Sequence, residues 1–292
     1  MRAVKENANA KINLFLDVSA KRPDGYHDIN TVMHSISLSD TLTVSVTSAR
    51  DTSVTLRVEG NDRLVTDDKN LAVMAAKLYL ERTAKTACVQ IKLVKNIPVA
   101  AGLAGGSTDA AATLRAMNKL FGHYLSSRAL ADLALELGSD VPYCLLGGTA
   151  LCEGRGEIIS PIYNPHFYTA VAVADEYVST PLAYAALDRL YSDFDGSVVG
   201  RGGELYRNMI CSLQNKSHDL GAVYNVFEEA VFDSCPKSRI IKSDMYSLGA
   251  LTAAMSGSGP SVFGIFNSKS AAEFAAQELK AKGFRAWFAE SV

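Results

Sequence analysis

The 292-residue sequence is short of several features, and each shortage excludes a class of protein. It has no excess of charge: 29 Lys and Arg face 31 Asp and Glu, giving a net charge of −2 and a pI near 6.2. No whole-molecule field therefore draws it to nucleic acid or to an anionic membrane. A local phosphate site stays open, because a few lysines and backbone amides can build one inside a neutral protein. The five cysteines (Cys88, Cys144, Cys152, Cys211 and Cys235) are odd in number and never spaced CxxC. That argues against a disulfide framework or zinc knuckle and for reduced thiols in a cytoplasmic protein. His34, His123, His166 and His218 are dispersed and show no metal spacing. Long apolar runs are lacking as well. The longest uncharged stretch, 245–268, is broken by Gly249, Gly257, Gly259, Pro260 and Gly264, so it reads as strand, glycine loop, strand and not as a membrane span. No apolar core of signal-peptide length precedes Lys11.

What is present suits a folded enzyme-sized chain. Hydrophobic residues make up 48% and charged residues 21%, enough core for one large domain or two ordinary ones. The first ninety residues alternate with period two: Ile12, Leu14, Leu16 and Val18 share one face, Leu42, Val44 and Val46 another, Val54, Leu56 and Val58 a third. A helix over 68–82 interrupts them, with Leu71, Met74, Ala75 and Leu78 at i, i+3, i+4 and i+7. Val89, Ile91 and Leu93 predict a strand leading into a glycine-rich loop. Ser107 or Thr108 then caps an alanine-rich helix running to 120, and Ser126 caps another that Gly138 ends. Alternation returns at 168–174, and Thr180-Pro181 opens a helix with a capping hydroxyl. The stretch 192–203 reads as a mobile surface loop. Helices are expected at 204–213, 222–232 and 237–248, and a final strand at 284–288. Two α+β lobes, 1–160 and 161–292, account for this order.

Three segments carry chemistry. Pro98-Val-Ala-Ala-Gly102-Leu-Ala-Gly-Gly-Ser107-Thr-Asp-Ala-Ala lies between a strand and a helix. Its glycines permit positive φ and close approach, and with the helix's unpaired amides they make an anion site aimed at phosphate. No Gly-Lys-Ser/Thr ends it, so it is no Walker loop. Ala104 and Ser107 occupy required glycine positions of the dinucleotide fingerprint, which speaks against a dehydrogenase. A tight turn is the plainer alternative. The second segment, Met255-Ser-Gly-Ser-Gly-Pro260-Ser-Val-Phe-Gly264, is a glycine loop that alone is no more than a hairpin turn. The third is a pair of charges set in apolar sequence: Lys11 in Ala10-Lys-Ile-Asn-Leu-Phe-Leu16, beside Asn13, and Asp140 in Leu137-Gly-Ser-Asp-Val-Pro-Tyr143. A charge among apolar neighbours needs a partner or a ligand, so a structural salt bridge is the alternative to phosphoryl transfer. Finally, Lys21-Arg-Pro-Asp-Gly-Tyr-His27 is either an ordinary turn or, through Tyr26 and His27, a platform that stacks on a planar base.

In this order the segments resemble the superfamily of galactokinase, homoserine kinase, mevalonate kinase and phosphomevalonate kinase. Within it they are most similar to the branch acting on 4-diphosphocytidyl-2-C-methyl-D-erythritol. The discriminating parts are the Lys-Arg-Pro-Asp-Gly-Tyr-His run and the long loop ending Ser-Thr-Asp-Ala-Ala. The resemblance implies ATP-dependent phosphorylation of that compound's 2-hydroxyl, with Mg2+ held mainly by the nucleotide's phosphates and by water. It implies an α+β, two-lobed small-molecule kinase, with an N-terminal ribosomal-protein-like lobe containing a left-handed β-α-β unit and a ferredoxin-like C-terminal lobe. Matched motif by motif, it makes Asp140 the catalytic base and Lys11 its assistant. Gly102, Leu103, Ala104, Gly105, Gly106, Ser107 and Thr108 fall on the phosphate loop, with Pro98, Asn70 and Lys95 edging the adenine. Asn13, Tyr26, His27, Thr180 and Tyr184 fall on the substrate side, and no residue is assigned to a metal; Asp109 is as good a helix N-terminal charge as a ligand. Ala104 departs from the usual glycine, and its methyl fits if φ is negative there. The partners implied are two small molecules, with neither nucleic acid nor membrane, and a monomer or weak homodimer. A mevalonate- or homoserine-type kinase is the near rival, and an inactive nucleotide-binding sensor the distant one.

Overall fold

The structure is a computed structural model, and it describes residues 1–61, 64–191, 202–217, 220–221 and 223–292. The segment 192–203, expected as a surface loop, lies outside the described residues up to 201. Two unusually long strands open the chain, β1 (Arg2–Lys21) and β2 (His27–Ser48). Neither contains Gly or Pro, so nothing interrupts their pairing. Gly25, at φ +86, turns one into the other as the Pro-Asp-Gly signal predicts. They are followed by β3 (Ser53–Glu59), α1 (Leu71–Thr83), β4 (Ala87–Val94), α2 (Gly105–Leu120), α3 (Ser127–Leu137) and α4 (Val141–Leu146). Next come β5 (Thr149–Glu153), β6 (Ile158–Pro161), β7 (Tyr168–Val173), α5 (Thr180–Leu190), α6 (Gly203–Gln214), β8 (Tyr224–Asn225) and α7 (Phe227–Val231). The chain closes with α8 (Pro236–Ser247), β9 (Thr252–Met255), β10 (Val262–Phe266), α9 (Lys269–Ala281) and β11 (Arg285–Glu290). These elements form two compact units: Met1–Ala10, Ser39–Val99 and Ala104–Leu146 make the first, and Lys11–Leu38, Ala100–Leu103 and Gly147–Val292 the second. Both long strands pass through both units.

In the first unit the end of β2 pairs antiparallel with β4, and β4 pairs parallel with β3, so β3, α1 and β4 form a β-α-β unit. Leu42, Val44, Val46, Val89, Ile91 and Leu93 are buried, as their alternation predicts. Helix α1 forms where expected but turns a different face inward. Met74 is exposed, while Ala72, Val73, Ala75, Ala76, Tyr79 and Leu80 are buried. The reason is its neighbour α2, whose buried Ala110, Ala111, Ala112 and Ala116 favour a small-residue face opposite. Ser126 caps α3 through the amide of Ala129 at 3.2 Å, and Gly138 ends it. The cap expected on α2 is not found at Ser107 or Thr108: the helix begins at Gly105, and both hydroxyl residues lie inside it.

In the second unit the later part of β1 pairs parallel with β8, the first part of β2 pairs antiparallel with β5, and β5 with β6. The other sheet, in the order β11-β7-β10-β9, is antiparallel throughout. With α5 to α8 between β7 and β9, and α9 between β10 and β11, it has the ferredoxin-like β-α-β-β-α-β arrangement. The 245–268 run is strand, glycine loop, strand, as read. The helix expected at 222–232 shrinks to α7, because Asn225 ties its carboxamide into the β9 end: its Nδ2 donates to Met255 O at 2.6 Å. Thr180 is not a cap either; Ser179 precedes the helix, and the Thr180 hydroxyl meets Ser258 Oγ at 2.8 Å. Among the described residues no helix is long and apolar enough to cross a membrane.

Candidate active site

The loop expected to bind phosphate is built around one glycine whose backbone and surroundings leave no room for a side chain. Gly102 has φ +77, and a Cβ on it would lie 2.0 Å from the Ser256 carbonyl. Ser256 Oγ donates to Gly102 O at 3.0 Å and the Ser261 amide donates to Ala101 O at 3.3 Å. The two glycine loops read separately from the sequence therefore lie against each other. Two residues on from Gly102, Ala104 has φ 55 and ψ 29, so the negative φ on which a comfortable fit of its methyl depended is not found and the residue lies in the left-handed region. From there α2 starts with no side chain capping its first turn. The amides at Gly105, Gly106 and Ser107 thus open the helix at the positive end of its dipole, an arrangement able to receive an anion. Thr108 turns its hydroxyl back to Gly105 O at 3.1 Å.

The residues expected around the adenine spend their polar atoms within the first unit. Asn70 caps α1, accepting from the Ala72 amide at 2.9 Å and donating to Val65 O at 2.8 Å. Lys95 is buried, its ammonium 2.5 Å from Asp40 Oδ2 and 2.7 Å from Asp109 Oδ2. Pro98 is buried as well. Burial pushes the Asp109 carboxyl up to about 8, with Asp40 adding to the rise against the pull of Lys95. Asp140 stands immediately before α4, where its carbonyl accepts from the Cys144 amide at 3.0 Å.

The second unit holds the residues expected on the substrate side. Lys11 and Asn13 are buried neighbours on β1, and Lys11 Nζ donates to Asn13 Oδ1 at 2.7 Å. That oxygen also accepts from the Gly257 amide at 2.9 Å, while Asn13 Nδ2 donates to Thr31 Oγ1 at 2.8 Å. Asn13 is therefore the pin joining the lysine to the second glycine loop. Asn225 holds the same loop from behind through Gly257 O at 2.8 Å. A second cluster gathers on the β1–β2 turn. His27 stacks on Tyr184 with centroids 4.9 Å apart and planes at 22°, and its Nε2 donates to Asp188 Oδ1 at 2.7 Å. Tyr26 is exposed, with the Arg155 guanidinium 3.7 Å from its ring centroid. Burial works against the Asp188 carboxylate, but Lys21 and His27 together hold it below its ordinary range. Asp188, Arg155 and Asn225 carry no motif of their own, and only their contacts identify them. Among the described residues no group of three or more His, Cys, Asp or Glu is disposed to hold a metal ion.

Fold and loops together define a class: the description "GHMP kinases N terminal domain" matches residues 70–148, and "GHMP kinases C terminal" matches residues 206–285. The chain is 42% identical over 282 residues to the 4-diphosphocytidyl-2-C-methyl-D-erythritol kinase of Caldicellulosiruptor saccharolyticus, covering 94% of this chain and 91% of the relative. It is 43% identical over 271 residues to the enzyme of that name from Bacillus subtilis, covering 91% and 89%. The chain belongs to the family of 4-diphosphocytidyl-2-C-methyl-D-erythritol kinases. A crystal structure of a 4-(cytidine 5'-diphospho)-2C-methyl-D-erythritol kinase superposes with a TM-score of 0.81 at 33% identity, covering 99% of both chains. The homoserine kinase of Cytophaga hutchinsonii, at 19% identity and a TM-score of 0.74 over 100% of this chain and 95% of that one, shares the fold alone.

Proposed function

We propose that this chain transfers the γ-phosphoryl group of ATP to the 2-hydroxyl of 4-diphosphocytidyl-2-C-methyl-D-erythritol. The observation that carries the choice of acceptor is the aromatic cluster on the β1–β2 turn, where the exposed, Arg155-backed Tyr26 follows Gly25 and adjoins the stacked His27–Tyr184 pair, aromatic surface suited to a pyrimidine. A mevalonate- or homoserine-type acceptor has no ring to place there. In this reading the backbone amides opening α2 bind the phosphates and pre-pay their orientation. Asp140 takes the proton from the attacking hydroxyl, and Lys11, held by Asn13, steadies charge as the phosphoryl group moves. Asn13, Thr180, Tyr184, Tyr26 and His27 shape the acceptor side, and residues 1–160 supply the phosphate loop and the acid–base pair.

Mg2+ would come with the nucleotide. Asp109, the acidic residue nearest the phosphate turn in sequence, does not fit as its ligand: one of its oxygens is taken by the Lys95 ammonium, and burial favours its neutral form. The metal's chemistry is charge neutralisation on the phosphates, and no step here is routed through it. The five free cysteines agree with a reducing, cytoplasmic setting. The test is ADP release from purified protein offered ATP and, separately, the cytidine-diphosphate alcohol, mevalonate and homoserine. Turnover confined to the first is expected; turnover on either of the others, or on none, would overturn the assignment.

A further inference from the structure

One buried ionic cluster has no part in that chemistry. The ammonium of Lys95, just past β4, lies between Asp40 of β2 and Asp109 of α2, and all three side chains are 4% exposed or less. The other oxygen of Asp40 accepts from the amides of Asn96 at 2.6 Å and Ile97 at 2.8 Å, which fixes the path of the chain as it leaves β4. On the far side, a Cβ on Gly105 would lie 3.0 Å from Lys95 Nζ and 3.1 Å from Ile97 Cγ2, so the ammonium sits directly beneath the first residue of α2. Two carboxyl groups and one ammonium therefore join the exit of β4 to the start of α2.

Stability is a poor reason for such a cluster. Taking three ionisable groups out of water is costly, and well-packed apolar side chains of the same volume often serve the fold as well or better. Direction is a better reason. A helix can be seated on an apolar face in several slightly rotated ways, whereas short charge-assisted hydrogen bonds admit one geometry. The turn being seated is the uncapped one whose amides form the anion site, and misplacement by an ångström there is felt as lost binding. We infer that Lys95, Asp40 and Asp109 are positioning residues for ATP, which aim the first turn of α2 at the phosphates without touching the nucleotide. This rests on the ATP reading above.

Calorimetric titration with ATP, thermal melting and steady-state kinetics on the full chain test it. In Asp109→Leu, which keeps the shape and removes the acceptor facing the Lys95 ammonium, the ATP dissociation constant should rise by about threefold to tenfold, and in Lys95→Met by about tenfold or more. The KM for the alcohol should stay within about twofold in both, a split that general loosening of the fold would not produce. Should Lys95→Met fail to fold, Asp109→Leu and Asp109→Ala decide the matter. Folded Asp109 variants that melt earlier yet bind ATP as tightly as the wild type would reduce the cluster to a structural tie and overturn the inference. Failure of the wild type itself to bind ATP would instead overturn the ATP reading, and this inference with it.

Discussion

Gly102 and Ala104 stand two residues apart in one loop, both at positive φ, 77 and 55, yet substitution should act on them in opposite directions. At Gly102 the space is full, so Gly102→Ala should unfold the loop and abolish ATP binding; melting and titration check this. At Ala104 the left-handed backbone strains a methyl that glycine would not carry. Ala104→Gly should therefore raise the unfolding free energy by up to about 1 kcal/mol, read by denaturant titration, with activity kept. Asp140→Asn should bind ATP normally and lose turnover by about two to four orders of magnitude, the scale of a lost general base. Sequence showed the types of these residues and not their dihedral angles. Ala104 looks innocuous in a string of letters because φ is set by the turn it must complete. His27 was legible from its turn, whereas Asp188, 161 residues further on, became visible only at 2.7 Å.

Among the elements, strands and helix ends with local signals were the readable part. Ser126 and Gly138 bracket α3 because capping is decided within four residues of sequence. The buried face of α1 is rotated from the one its periodicity suggests, because Ala72, Val73, Ala76, Tyr79 and Leu80 meet the core while Met74 faces out, a choice made by packing against other elements and not by local sequence. The α7 region was misjudged because the tie from Asn225 to Met255 is invisible without the fold. The join between β4 and α2 leads to a pH prediction. Asp109 has its folded-state value raised from 3.8 to about 8. A raised value means the stabilisation is complete below about 4 and is lost as pH climbs through about 8, at up to about 1.4 kcal/mol per unit. Asp109→Asn should flatten that alkaline decline in a series of melts.

Taken as a whole, the molecule carries titrating groups of opposite sense in its two units. His34, in the second unit, is lowered from 6.5 to about 3 by burial and the nearby His166; its Nδ1 meets Thr149 Oγ1 at 2.7 Å and its Nε2 is buried without a hydrogen-bond partner. A lowered histidine stabilises fully above about 6.5 and loses that contribution as pH falls towards 3. Hydrogen exchange should show the segments around β2, β5 and β7 losing protection as pH falls from about 6.5 towards 3, and those around β4 and α2 losing it as pH rises from about 4 to about 8. His34→Gln should remove the acid effect alone. Protection lost in the same segments at both extremes would contradict this division.

The passage of β1 and β2 through both units also bears on how the chain is made. Residue 36, synthesised early, forms a β-bridge with residue 291, and Phe15 waits for Tyr224. The stretch 11–38 can pair β1 with β2 early, but its further partners β5 and β8 come later, and the unit it belongs to cannot finish its sheets until some 255 further residues have followed residue 36. Until then β1, which carries the lysine and asparagine of the site, has β2 on one side and an open edge where β8 will pair, the condition in which unpaired edges recruit other chains. This interleaved architecture is completed late in synthesis and not unit by unit in the order of the chain.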